Sequence, residues 1–537
     1  MLKKSLSYIT ILAIALTTLL LTGCSNDNSK KITTMATENK KELILAIGSE
    51  PDEGFDPTTG WGRYGSPLFQ STLLKRNNDM EIVKDLATEY SVSDDGLVWT
   101  VTIRDDVKFS DSTSLTAHDV VFTYQTAQES SSVVDLTVMD RVEALDDYTV
   151  QFTLKKPQST FVNLLVTLGI VPKDSYSSDY GQNPIGSGPF KFVQWDKGQQ
   201  LIVEANPEYY GAKPYFEKLT FLYLSEETAF AAARAGQVDV AAIVPAFANQ
   251  QVPGMRLLAL ESVDNRGIMF PYTMEGNKTE EGHPIGNAVT SDLAIRKAIN
   301  VAIDREALVE GILNGYGSPA YSVSDKMPWW NPDTVIQDGN LEEAKKILAD
   351  GQWEDRDGDG IVEKGSLKAE FTLIYSASDN TRQSLAIAVA DQLKQIGIKV
   401  NVEGKSWDEI KKQMHSNAVV FGWGSHDPLE MYHLYHSKYR GVSWYNTGYY
   451  ANDLVDKYLD KALTAKDEET ANQYWQKAQW DGSTGFSAKG DAPWAWLVNH
   501  NHLYLVKENL YMGQQKIQPH GHGWPLTDNI EAWRWEN

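Results

Sequence analysis

Apolar residues recur along this chain in two rhythms. Leu43 to Ile47 is a short apolar run ended by Gly48 and Pro51, and Trp99 to Ile103 alternates after the Asp94-Asp95-Gly96 turn; both patterns predict strands. From Glu370 to Val402 the rhythm switches. Phe371 to Tyr375 reads as a strand, Ser376-Ala377-Ser378-Asp379 leads into a helix, and Leu385, Ala388, Val389, Leu393 and Ile396 keep helical spacing until Gly397 ends it. Ile398 to Val402 begins the next strand. Strand, helix and strand in this order form the crossover unit of a parallel sheet, so the chain is predicted to be α/β. Ligands of such sheets bind in the crevice beyond the strand ends. Further on, Val419-Val420-Phe421 predicts a buried strand, and Asp427, Pro428 and Glu430 have the form of a helix start, with a cap, a first-position proline and a third-position acid. Trp423 to His426 then forms a strand-to-helix turn.

The first residues follow a different pattern. Lys3 and Lys4 precede a mostly apolar run from Tyr8 to Leu21, which ends in Leu21-Thr22-Gly23-Cys24. A run this short reads as a secretion signal and not as a spanning helix. The four residues ending at Cys24 resemble the lipobox of bacterial lipoproteins, which implies that residues 1–23 are a lipoprotein signal peptide and that Cys24 carries the lipid. Residues 24–41 are polar and are expected to act as a flexible stalk. The protein is therefore expected outside the cytoplasm, held to the cell membrane by lipid alone, because no second apolar run of about 20 residues follows. Cys24 is the only cysteine among 537 residues, which excludes an intramolecular disulfide and all but excludes a thiolate metal site. A formal charge of −23 argues against nucleic acid as a partner.

Several blocks carry a resemblance. Asp94 to Thr100, Arg104 to Phe109, Ala117 to Thr123, Ile185 to Phe190, Asn206 to Gly211, Gly236 to Val240 and Arg296 to Arg305 resemble, in order, the successive blocks of the dipeptide, oligopeptide and nickel solute-binding family. The resemblance implies a two-lobe, periplasmic-binding-protein-like α/β fold whose lobes close about a hinge, with an extra subdomain inserted in the first lobe. Mapping the order of blocks puts lobe I at about 42–270 plus 490–537, with the insert at about 75–180, and lobe II at about 271–489. It also implies a monomer that delivers its cargo to an ABC permease and its ATPase, and no catalytic cofactor.

Peptides and nickel chelates are the two cargo classes that the resemblance offers. Seven of the ten histidines lie after residue 425: His426, His433, His436, His500, His502, His520 and His522. Imidazole nitrogen favours nickel, copper and zinc. The segment Gln518 to Pro525 holds His520 and His522 among glycines beside Trp524, a loop able to present an imidazole to an open metal position; the alternative is a surface loop with local hydrogen bonds. His433 and His436 lie one turn apart and offer either a second metal pair or a solvated helix face. In the 423–426 turn, peptide binders of the family carry an extra acid ahead of the Asp-Pro pair to hold the peptide's α-ammonium. Here the turn is short and its acid is Asp427, so the Trp423-Gly424 pair ahead of Asp427-Pro428 resembles the nickel receptors, which set an aromatic wall against the chelate, and Trp423 and His426 are candidate ligand-binding residues.

Arg382 falls in the first turn of the crossover helix, where the helix dipole disfavours a cation. Either it clamps a ligand carboxylate in a two-pronged hydrogen bond, or it pairs with Asp379; Arg266 is a second candidate clamp. Trp61, Arg63 and Tyr64, set among glycines, are expected on the rim of the first lobe against a flat ligand. The expectation is thus a receptor for nickel wrapped in a small organic chelator such as histidine, with a peptide as the alternative cargo. Asp355-Arg356-Asp357-Gly358-Asp359-Gly360 copies the first half of an EF-hand loop, but its twelfth position is Ser366, so it is read as a turn between a helix at Leu341 to Ala349 and the strand near Phe371. The sequence has no Gly-x-Ser-x-Gly elbow and no His-Glu-x-x-His helix, and enzymatic activity is not expected.

Overall fold

The computed structural model describes residues 40–65, 67–130, 134–521 and 523–536. Residues 1–39, which include the predicted signal, Cys24 and most of the stalk, lie outside the described residues, and so does His522.

Three larger sheets organise the described chain. The first has seven strands in the order Met255–Leu260, His502–Lys507, Val240–Ile243, Glu42–Ala46, Lys218–Leu222, Gln200–Ala205 and Phe190–Asp196. Its central strand, Glu42–Ala46, runs parallel to both neighbours. Apolar side chains bury both of its faces. The second sheet has six strands, ordered Gly317–Pro319, Trp494–His500, Asn265–Met269, Ala418–Phe421, Glu370–Ser376 and Lys399–Lys405. Glu370–Ser376 pairs in parallel with Lys399–Lys405 and with Ala418–Phe421, as the crossover pattern requires. The crossover helix spans Asn380–Lys394, and Leu385, Val389 and Leu393 are fully buried on its inner face, each contributing roughly 1.5–3 kcal/mol of apolar burial. Gly397 adopts φ 79° just beyond it, a conformation that ends a helix at little cost only for glycine.

The third sheet is antiparallel, in the order Ala87–Val92, Val98–Ile103, Thr149–Leu154 and Met139–Asp146. Trp99, Val101 and Ile103 alternate into its core, against which the helix Ala117–Glu129 packs. The chain passes from the seven-stranded to the six-stranded sheet between Leu260 and Asn265, and returns between His500 and His502.

Candidate ligand-binding site

These two crossings set the polar centre of the molecule. A third segment joins them, since Val263 N–H donates to the Gln518 carbonyl and Ser262 bridges the same residue. Asp264 stands where the three segments meet and is only 2% exposed. Its Oδ1 accepts from Arg266 Nη1 at 2.5 Å and lies 2.5 Å from His520 Nδ1. Its Oδ2 lies 2.9 Å from His500 Nε2 and 3.3 Å from His502 Nε2. Burial works to raise the Asp264 pKa, but Arg266, His520 and His500 outweigh it and hold the carboxyl well below the usual range. Ligand atoms of Asp264, His500 and His502 lie close enough for a shared metal ion. Arg266 on the same carboxylate opposes a cation there, and His502 is fully buried. These two histidines therefore act as ties between the connecting segments.

The turn after Ala418–Phe421 closes over this centre. Gly424, at φ 142°, approaches so closely that a Cβ would lie 2.1 Å from the Val263 carbonyl oxygen. Gly424's own carbonyl accepts the His520 backbone N–H. A Cβ on Gly422 would lie 2.7 Å from Arg266 Nη1 and 2.9 Å from Arg382 Nη2, so the two guanidiniums converge on one glycine. Arg382 does pair with Asp379, at 3.3 Å, yet it is buried and lies over the Trp407 ring at 5.2 Å. Burial, and then Arg266, push its pKa down to about 10. Neither Arg266 Nε nor Arg382 Nε has a hydrogen-bond partner among the described residues.

Beside this centre opens a cavity of about 280 Å³, lined in part by Arg63, Tyr64, Trp423, Glu430, His433 and Tyr445. Tyr64 joins the two, because its ring also meets His520 edge-on at 6.1 Å. Arg63 lies over the Tyr64 ring at 4.3 Å. Trp423 faces Tyr445 at 5.8 Å and His433 faces it at 4.4 Å; burial pushes the His433 pKa down to about 4. His426 lines the cavity too, and burial holds its imidazole well below the ordinary value.

Other predicted residues lie elsewhere. Trp61 packs edge-on against Phe55 at 4.9 Å and Trp524 at 5.0 Å, and its indole N–H bonds the Pro67 carbonyl. Trp524 also packs on Phe221 and donates to the Ser49 carbonyl. Both rings thus belong to the aromatic core of the first sheet. His436 turns away from His433: its Nε2 lies 3.3 Å from Asp460, and its Nδ1 accepts the Lys438 N–H.

Glu430 has a role that the sequence did not suggest. Its carboxylate folds back from the helix Leu429–Tyr435 to accept the Gly424 and Ser425 N–H groups. Burial nonetheless pushes its pKa up to about 7. Asp427 accepts the Leu429 N–H, but the helix begins one residue later than expected, with Pro428 and not Asp427 at the N-cap position. Arg76, also unforeseen, reaches across from the strand Leu74–Arg76 to the Asn163 side chain and the His426 carbonyl.

Comparison with known proteins places this geometry. The family described as "Bacterial extracellular solute-binding proteins, family 5 Middle" matches residues 81–446, more than half of the chain. Protein XP55 of Streptomyces lividans is 33% identical over 88% of this chain and 86% of its own length. The structure of NikZ from Campylobacter jejuni in complex with Ni(L-His) superposes with a TM-score of 0.77 at 26% identity, covering 92% of this chain and 99% of that one. The oligopeptide-binding protein AppA from Bacillus subtilis, in complex with a nonapeptide, gives a TM-score of 0.70 at 27% identity over 93% and 99%.

Proposed function

This chain belongs to the bacterial extracellular solute-binding proteins of family 5 and serves an ABC importer, with its permease and ATPase, as the substrate-binding protein; within that role we propose that it captures a small nickel chelate, such as nickel with histidine. The fold is the two-lobe periplasmic-binding-protein fold of that family. On our reading the lobes are the segments expected from the sequence, hinged at 261–264 and 500–502, and they close over the cargo. We also take the protein to be a monomer anchored through a lipid on Cys24.

The observation that carries the nickel reading is the pair His520 and Asp264. Asp264 Oδ1 engages His520 Nδ1 at 2.5 Å, which leaves Nε2 as the nitrogen to meet a metal. Metal-binding histidines are commonly oriented by a carboxylate on the other ring nitrogen. A chelator fills most coordination positions itself, so one protein imidazole suffices. Its carboxylates need cationic neighbours, and the buried pair Arg266 and Arg382 supplies them. A cavity of about 280 Å³ falls just below the usual range for ligand sites, which favours a chelate or a very short peptide over a long one.

A short peptide is the second reading, and Glu430 favours it. This half-buried carboxylate in the cavity has no cation bonded to it among the described residues, and a ligand α-ammonium would supply one. Calorimetry separates the two readings. Nickel with free histidine should release binding heat where nickel alone and a mixture of short peptides do not; heat from peptides alone would overturn the nickel reading.

A further inference from the structure

Outside the residues that line the cargo cavity, the loop after the helix Leu341–Asp350 holds a group of carboxylates whose arrangement exceeds what a turn requires. Asp355, Asp357 and Asp359 occupy the first, third and fifth positions of an EF-hand-type loop, and Gly360 the sixth. Gly360 adopts φ 86°, which lets the chain turn there. The Asp355 carboxylate accepts the Gly358 and Gly360 N–H groups, which winds the loop around it.

The missing glutamate at the twelfth position has a counterpart at the ninth. Glu354 and Glu363 form an antiparallel bridge that brings Glu363 back over the loop. Glu363 is 7% exposed; its Oε1 accepts the Arg356 N–H, while its Oε2 is buried with no hydrogen-bond partner among the described residues. One oxygen each of Asp355, Asp357 and Glu363 lie within 4.8 Å of one another, the spread open to oxygens that share an ion at about 2.4 Å. A buried carboxylate that keeps one oxygen unpartnered beside two other carboxylates is costly unless a cation completes the group. Lys368 meets part of this need, since its ammonium bonds Asp357 at 2.8 Å and also bonds Asp359. It does not serve Glu363, and its side chain is 38% exposed, free to swing outward.

We propose that Asp355, Asp357 and Glu363, joined by Asp359 when Lys368 withdraws, form a calcium site that fastens this loop to the six-stranded sheet. Hard carboxylate oxygens in a flexible loop suit calcium better than magnesium, which demands a tighter octahedron. The fastening runs through Val362, whose N–H bonds the Gly397 carbonyl and whose carbonyl accepts from Ala369 at the start of Glu370–Ser376. Calcium would thus lock both ends of the strand-helix-strand crossover, whatever cargo the protein carries.

The test uses full-length protein stripped of metal and free of cargo. Calcium is titrated by calorimetry and by melting, and terbium luminescence is excited through Trp353, a buried indole two residues before Asp355. The expected result is one calcium per chain, with a Kd of roughly 10⁻⁴–10⁻³ M as in extracellular modules, a raised Tm and weaker magnesium binding. Glu363→Gln should weaken calcium at least about tenfold by removing one charged ligand, and Lys368→Met should tighten it by removing the competing ammonium. Absence of heat and stabilisation up to roughly 10 mM calcium, above the weakest such modules, would overturn the proposal. So would binding unchanged in both variants.

Discussion

The Asp264 carboxylate decides which face of the His520 ring is available to a ligand. Oδ1 lies 2.5 Å from Nδ1 and accepts the proton that Nδ1 carries, so in the neutral ring the lone pair lies on Nε2. A ring oriented in this way is what a metal-binding imidazole needs. His520→Ala should therefore weaken nickel-histidine at least tenfold while leaving the fold intact, since its side chain is 31% exposed. Asp264→Asn, which loosens the orienting bond, should cost about 10–100-fold in metal affinity. His436→Ala serves as the control, because that ring is spent on Asp460 and Lys438 N–H. Calorimetry with nickel-histidine checks all three; equal affinity in wild type and His520→Ala would remove His520 from the site.

The convergence of Arg266 and Arg382 on Gly422 leads to a second expectation. Two buried guanidiniums repel each other, and a ligand carboxylate relieves that repulsion. Arg382→Lys keeps the charge but loses the planar fork, so affinity for nickel with histidine should fall at least about tenfold. Nickel with a chelator that lacks a carboxylate should bind almost as before. Gly422→Ala, whose Cβ would press on both arginines, should mimic the loss. Equal effects of Arg382→Lys on both chelators would show that the arginine acts through structure and not through the carboxylate.

Glu430 separates the two cargo readings by its pH response. Its carboxyl titrates near 7 because burial raises it. A peptide ammonium needs it ionised, so peptide affinity should strengthen as pH rises through about 7 and vanish in Glu430→Gln. Nickel-histidine affinity should be little changed by that substitution. Titration of both ligands against both proteins between about pH 5.5 and pH 8, which brackets this carboxyl, decides the matter. Peptide binding that survives Glu430→Gln would exclude Glu430 as the ammonium acceptor.

Regular elements were legible in the sequence because their signals are local. Leu385, Val389 and Leu393 announce the crossover helix within fifteen residues of chain, and the turn at Asp355 follows from its own glycines. The site was legible only as residue types. His500, His502 and His520 stood out by composition, yet their common acceptor is Asp264, more than 230 positions away. No periodicity reports such a contact. Trp61 and Trp524 show the converse: aromatic rings among glycines suggest a ligand rim, but which way a ring faces is set by neighbours such as Phe55 and Phe221, contributed by distant strands and loops. Glu430 was hidden by a sufficient local explanation, the helix start, that leaves its side chain's backward fold unspecified.

Asp325 ties the stability of the fold to pH. Its Oδ2 accepts the Tyr321 N–H at 2.9 Å and the Asn499 side-chain amide at 3.0 Å, while its buried Oδ1 has no hydrogen-bond partner among the described residues. Burial pushes its pKa up to about 6 from an ordinary 3.8. A carboxyl raised on folding binds its proton more tightly in the native state. Its contribution is therefore fully present below the ordinary value, fades between there and about pH 6, and is lost above it. At neutral pH the ionised group costs on the order of 2–3 kcal/mol relative to the protonated one. Asn at this position keeps an acceptor oxygen for both donors and never ionises. Asp325→Asn should thus be more stable than wild type at about pH 8, by up to roughly 2 kcal/mol, and no more stable at about pH 4, where the wild-type carboxyl is protonated. Urea unfolding of both proteins at the two pH values measures the difference. A stability gap that does not change with pH would mean that Asp325 stays ionised in the fold, held by Arg305 and its two donors against the cost of burial.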